Sequence, residues 1–207
     1  DAWVVHYSTD YVFDGGKLGA YTEDDHTNPQ SVYGRTKRDG EVALRDTGVR
    51  HVILRTSWVV GAHGNNFAKT ILQLALEREQ LNVVADQYGV LTPAALLADI
   101  TAQLVWQAQR EGNSAFPFGL YHLVPSGETT WCDYARFVVS EARAAGRATK
   151  LAPEAIRAIS SSDYPTAAKR PCNSRMDTGK LRRTFGYRLP DWQNGVRHVL
   201  QQILRES

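Results

Sequence analysis

The sequence has 207 residues, 43% of them hydrophobic, with 24 Lys and Arg against 22 Asp and Glu and a formal net charge of +2. That length and apolar content suit one good-sized domain, or one domain with a small lobe, and exclude a disordered chain. The small net charge and the lack of a dense basic stripe argue against nucleic acid, and no apolar run approaches the roughly 18 residues of a membrane span.

The chain opens on Asp1-Ala2-Trp3-Val4-Val5-His6-Tyr7, without a signal-peptide pattern. Trp3–Tyr7 reads as an apolar strand, so the expectation is a piece of a longer chain that begins in mid-sheet. A polar loop is expected from Ser8 to about Ser31, then a helix from about Val32 to Arg45 that ends near Gly48. Val52–Arg55 is a short apolar strand. Gly61 to Gly64 is a break, after which Asn66-Phe67-Ala68 opens a helix with Phe67, Ile71, Leu72 and Leu74 on its apolar face. Leu81–Val84 is a strand, Pro93 starts a helix to about Arg110, and Gly119–Val124 is another strand. Thr129 or Thr130 caps a helix through about Ala145. Residues 147–175 read as irregular, with Pro153, Pro165 and Pro171. Short helices follow at about Asp177–Phe185 and Trp192–Leu204. This alternation predicts an α/β fold with parallel pairing. Cys132 and Cys172 fit no metal or redox spacing, so a reduced, cytoplasmic setting is expected.

Tyr33 and Lys37 stand four residues apart at the head of a helix, on one face. A lysine ammonium near a phenol favours the phenolate, which tunes a tyrosine for proton transfer near neutral pH. The spacing alone also occurs by chance in ordinary helices. The preceding strand runs into Ser8-Thr9-Asp10, and in an open parallel sheet ligands gather at the carboxyl ends of strands. A hydroxyl and a carboxylate would stand there. The alternative is a turn whose Ser, Thr and Asp bond only local backbone.

Ser8-Thr9-Asp10-Tyr11-Val12-Phe13-Asp14-Gly15 followed by Tyr33-Gly34-Arg35-Thr36-Lys37 resembles the extended short-chain dehydrogenase/reductases. Arg55-Thr56-Ser57-Trp58-Val59, Gly64-Asn65-Asn66-Phe67, Asp86-Gln87-Tyr88-Gly89 and Thr92 narrow the resemblance to the dTDP-4-dehydrorhamnose reductases. Leu120–Leu123, Gly127 with Thr130-Trp131, Arg170-Pro171 with Asn173-Ser174, and Leu189-Pro190 with Trp192 complete the set. The resemblance covers essentially the whole chain. It implies a Rossmann-like parallel sheet, incomplete at its N-terminal side, with a small mixed α/β substrate-binding lobe. Residues 1–60 would be the second half of the dinucleotide-binding domain with the catalytic motif. Residues 61–207 would be mainly the substrate lobe, with 97–124 returning to the dinucleotide-binding domain.

The resemblance also implies a reaction: reduction of the C4 ketone of dTDP-4-dehydro-β-L-rhamnose by NADPH or NADH, in making an activated sugar for polysaccharide. Tyr33 would give the proton, and Lys37 would tune it and hold the nicotinamide ribose, with Ser8 on the cofactor side. Thr9 would bond the ketone, with Asp10 beside it in the catalytic group. Asp10, Tyr11 and Phe13 would lie along the sugar pocket. Trp58 either covers the sugar nucleotide or is core. Asn66 either faces the diphosphate or caps its helix. Gln87 reads a base edge or stabilises a turn, and Arg170 pairs with phosphate or with an ordinary surface carboxylate. Trp131 and Trp192 read as packing, and His6 as structural. Some family members bind magnesium, but no acidic segment here matches, so no metal ligand is assigned.

The sequence has no Gly-x-x-Gly-x-x-Gly after a first strand. In the family that loop lies ahead of the Ser-Thr-Asp segment, so these residues alone are expected to bind dinucleotide weakly. The first strand would present an open sheet edge, giving association through that edge or a homodimer. Leu91 replaces the family's usual proline before Thr92, which implies a looser turn there. Two other readings of the same fold are a non-catalytic regulatory subunit and a nucleotide-sugar epimerase or dehydratase. Intact Thr9, Tyr33 and Lys37 favour catalysis over the first. Against a dehydratase, Tyr11 follows Asp10 where those enzymes carry an Asp-Glu pair.

Overall fold

A computed structural model describes residues 2–112, 114–164 and 170–206. Its centre is a parallel three-stranded sheet in the order β1 (Val4–Thr9), β2 (His51–Thr56), β7 (Gly119–His122). β2 is buried from Val52 to Thr56, as a central strand covered on both faces must be. The register places Thr9 beside Thr56, and Arg55 beside His122, so the carboxyl ends of all three strands lie together.

Two helices flank the sheet. The first, α1 (Val32–Asp46), begins at Ser31, whose hydroxyl accepts from the Gly34 amide at 3.0 Å. It runs from β1 to β2 and buries little beyond Gly34 and Glu41. Further along the chain come the two-residue β3 (Val59–Val60), α2 (Phe67–Glu77), β4 (Leu81–Val84), β5 (Tyr88–Gly89) and β6 (Thr92–Pro93). The second flanking helix is α3 (Ala94–Glu111), which places Leu97, Ile100, Leu104 and Ala108 in one core with Val52, Leu54 and Tyr121. Their spacing of three and four residues makes one helical face.

A separate apolar core forms where α2 meets α4 (Trp131–Ala144) and α6 (Trp192–Glu206), around Ile71, Ala75, Val138, Val139, Val196 and Leu200. It is bordered by β4, which pairs in parallel with β9 (Ile156–Ile159), and β5, which pairs antiparallel with β8 (Thr129–Thr130). β3 pairs with β6, and α5 (Gly179–Phe185) lies beside β7.

Several expectations need correction. Ser8 and Thr9 are not loop residues but the last two residues of β1, held by pairing to Arg55 and Thr56. The strand expected over Gly119–Val124 ends at His122. The stretch 147–175, expected to be irregular, contains β9, which buries Ile156 and pairs in parallel with β4. Pro165 lies outside the described residues. The turn at Leu91 is not loose: Leu91 is buried, β5 and β6 flank it, and the Ser57 hydroxyl donates to the Val90 carbonyl at 3.1 Å.

Candidate active site

The carboxyl end of β1 turns directly into a short 3₁₀ turn, Asp10–Val12, capped by the Thr9 hydroxyl, which accepts from the Tyr11 amide at 3.2 Å. That hydroxyl also donates to Asp10 Oδ1 at 2.9 Å. Thr9 and Asp10 are both buried. Burial pushes the Asp10 carboxyl up to about 6, opposed by the hydroxyls of Ser174 and Thr9. Asp10 is thus buried at the end of β1, with the side chains of Thr9 and Ser174 as hydrogen-bonding neighbours. Ser8 is buried at the strand end, and its hydroxyl has no hydrogen-bond partner among the described residues.

α1 crosses this turn at close range. A Cβ on Gly34 would stand 2.2 Å from the Tyr11 carbonyl oxygen, so only glycine permits the approach. The approach sets the Tyr33 ring edge-on to Tyr11, with centroids 5.7 Å apart, and leaves Tyr33 55% exposed. One turn later the Lys37 ammonium donates to the Tyr7 carbonyl, near the end of β1. One turn further, Glu41 takes two hydrogen bonds from Arg55 of β2, Nε to Oε1 at 2.9 Å and Nη2 to Oε2 at 2.6 Å, with both side chains buried. Gly34 and the Glu41–Arg55 pair were missed from the sequence. Glu41 shares the helical face of Tyr33 and Lys37 at steps of four residues, a signal that could have found it.

The place expected for Phe13 also needs correction. Phe13 is buried, stacked on Tyr21 at 4.1 Å, with the Arg55 guanidinium 5.0 Å from its ring, so both its surroundings and its burial make it core. Asn66 caps α2: its Oδ1 accepts from the Lys69 amide at 3.0 Å and its Nδ2 donates to the Gly61 carbonyl at 2.8 Å. The cap uses Oδ1 and one of the two Nδ2 hydrogens.

The remaining residues gather beyond Tyr11. The Tyr11 phenol is raised chiefly by burial, then by Asp10, while Arg170 lowers it and Tyr33 raises it. Arg170 therefore lies within electrostatic reach of Tyr11. Its guanidinium sits 5.8 Å from the Trp131 ring centre. Arg170, Trp131 and Gln87 line a cavity of about 290 Å³ with Phe67, Asn82 and Tyr164. Trp58 stands behind it, its ring stacked on Trp131 at 4.1 Å. Trp131, read from the sequence as packing alone, packs and also forms cavity wall. Among the described residues, no group of three or more His, Cys, Asp or Glu could hold a metal ion, and no helix is long and apolar enough to cross a membrane.

Fold and site together define an α/β domain of Rossmann-like type, with a tyrosine–lysine pair at the carboxyl edge of a parallel sheet. Residues 1–205 match the model of the RmlD substrate binding domain, and the chain belongs to that family. It is 51% identical over 202 residues to a dTDP-4-dehydrorhamnose reductase of Escherichia coli K12, covering 98% of this chain and 66% of that protein. A Salmonella typhimurium protein of the same name is 52% identical over the same shares. A Clostridium acetobutylicum dTDP-4-dehydrorhamnose reductase structure superposes with a TM-score of 0.83 at 31% identity, over 100% of this chain and 67% of that one. A Bacillus anthracis reductase in complex with NADP superposes with a TM-score of 0.81, also at 31% identity, over 100% and 66%. The chain thus spans about two thirds of the length of the curated relatives it matches.

Proposed function

We propose that this chain carries the proton-donating and sugar-nucleotide-binding parts of an NADPH- or NADH-dependent reductase acting on the C4 ketone of dTDP-4-dehydro-β-L-rhamnose, giving dTDP-β-L-rhamnose. One observation carries the reading: Tyr33 and Lys37 share one face of α1 at the carboxyl end of β1, where the Lys37 ammonium donates to the Tyr7 carbonyl. Tyr33 meets Tyr11, Tyr11 lies in the field of Arg170, and Arg170 lines a cavity with Gln87. The division of the chain, with 1–60 and 97–124 serving the cofactor side and the rest mainly the substrate side, belongs to the same proposal.

Hydride addition to a ketone builds negative charge on its oxygen. The nicotinamide supplies the hydride when bound. Tyr33 gives its phenolic proton to that oxygen and is left as phenolate. Lys37, fixed at the Tyr7 carbonyl, stabilises the phenolate. The Thr9 hydroxyl turns from Asp10 to donate to the same oxygen. Tyr33 and Lys37, at the open edge of the sheet, would hold the nicotinamide ribose, with Ser8 nearby. Arg170 would pair with the diphosphate and Gln87 would meet the base. Magnesium has no donor set among the described residues and enters no step. These 207 residues hold no glycine loop for a pyrophosphate, so dinucleotide binds weakly to them alone. A cytoplasmic setting and a homodimer, or association through β1, complete the proposal.

The test joins this sequence to the N-terminal segment of the Escherichia coli reductase. With the 4-keto sugar nucleotide, the joined protein consumes NADPH, and Tyr33→Phe lowers the rate by about 10²–10⁴-fold, the usual worth of a positioned acid. A joined, folded protein that binds NADPH yet leaves the ketone unreduced would sink the reading.

A further inference from the structure

Trp58 is the one described non-glycine residue with a positive φ, at 42°. For a bulky side chain that is a strained backbone, and such strain persists only where surroundings enforce it. Here they do. The Trp58 carbonyl accepts from the Thr92 amide at 3.2 Å, which pins the strained residue to β6. Its ring lies flat against β5: a Cβ on Gly89 would come 2.7 Å from it. Its stacking partner is Trp131, at 4.1 Å and an interplanar angle of 20°. Trp131 follows β8, whose Thr129 is paired to Gly89, so one two-stranded ribbon carries both the glycine floor and the second ring. Phe67 holds Trp131 from another side at 4.9 Å. Arg170 lies over Trp131 at the cavity.

We infer that Trp58 and Trp131 are positioning residues: the stacked pair forms a braced platform that holds the Arg170 guanidinium toward the diphosphate of the bound nucleotide. The inference rests on the reading of the cavity as the nucleotide pocket. A guanidinium on a flexible stem loses binding strength to its own freedom. An aromatic face beneath it restricts that freedom and leaves its edge donors for phosphate oxygens. The strained Trp58 keeps the face from tilting. Trp58 therefore acts through Trp131, and Trp131 through Arg170.

The experiment is a calorimetric titration of this chain with dTDP, arranged as a double-mutant cycle. Wild type binds. Trp131→Leu weakens binding by about 3- to 30-fold, the range of a cation–π contact, and Trp131→Phe recovers most of it. In an Arg170→Ala background Trp131→Leu has no further effect. Gly89→Ala, which pushes on Trp58, weakens dTDP in the Arg170 chain only. Far-ultraviolet circular dichroism of each variant reports its folding, and the exciton signal of the stacked tryptophans disappears in Trp131→Leu. An equal loss with and without Arg170 overturns the inference, because Trp131 would then act directly on ligand or on folding; so does an unchanged affinity. Absence of dTDP binding by wild type overturns the nucleotide-pocket reading itself, and the inference with it.

Discussion

Asp10 and His122 are buried titratable groups whose protons pull stability in opposite directions. Asp10 keeps its proton up to about pH 6, against 3.8 in an exposed carboxyl. Between those values the folded chain holds a proton that the unfolded chain has released, so its stabilising share is lost as pH rises through about 6. Asp10→Asn removes that loss. The variant gains on wild type above pH 7 by up to about 3 kcal/mol, because each tenfold change in proton affinity is worth roughly 1.4 kcal/mol, and the gain disappears near pH 4. His122 is held neutral down to about 3, first by burial and then by the Arg55 cation. Its unfolded form takes up a proton from about 6.5 downward, so stability falls on acidification. The two slopes oppose one another between about pH 4 and 6, and Asp10→Asn exposes the His122 slope alone. Urea titrations across this range read both. A variant no more stable than wild type at pH 8 would show that burial does not govern Asp10.

α1 holds its functional face through three attachments: glycine contact with the 3₁₀ turn, Lys37 on Tyr7, and Glu41 on Arg55. Removing one partner of a buried pair leaves the other charge unpaired, so Glu41→Ala costs about 3–5 kcal/mol, while Glu41→Leu with Arg55→Met restores most of it. Gly34→Ala costs about 1–3 kcal/mol and moves Tyr33 off Tyr11, because the added carbon overlaps the Tyr11 carbonyl. Thermal melts rank the three; a Glu41→Ala chain as stable as wild type would remove the pair from the account. The helix itself was legible, since its residues repeat at steps of four and Gly48 closes it. Arg55 as partner of Glu41 was not, because spacing within one helix says nothing about which distant strand lies beneath it. Phe13 was misplaced for a related reason. A motif fixes its place after the strand, but only the 3₁₀ turn decides that its ring goes inward to Tyr21 and Arg55.

At the scale of the molecule, alternating strand and helix gave away the α/β class, and the order of motifs gave away the site. The pairing of β4 with β9 stayed hidden, because each is four residues long and their contact closes a long stretch of chain. The sheet order leaves β1 bonded on one side only among the described residues, to β2. Val4 and Tyr7 on it are exposed, and the Tyr7 hydroxyl is tied to Thr101 of α3 at 2.6 Å. An apolar strand bonded on one side pairs with another copy unless it carries charge or cover; on β1 the Lys37 ammonium already takes the Tyr7 carbonyl. The expected outcome is that the 207 residues associate as their concentration rises, seen as growth in light scattering or sedimentation coefficient. Val4→Lys places a charge on that edge and shifts the association to higher concentration by about tenfold, for a loss on the order of 1.4 kcal/mol in pairing. Its own melting temperature changes little, because Val4 lies outside both apolar cores. Association that Val4→Lys leaves untouched would place the contact elsewhere, and a monomer at every concentration would mean that the edge is protected by its own twist and side chains.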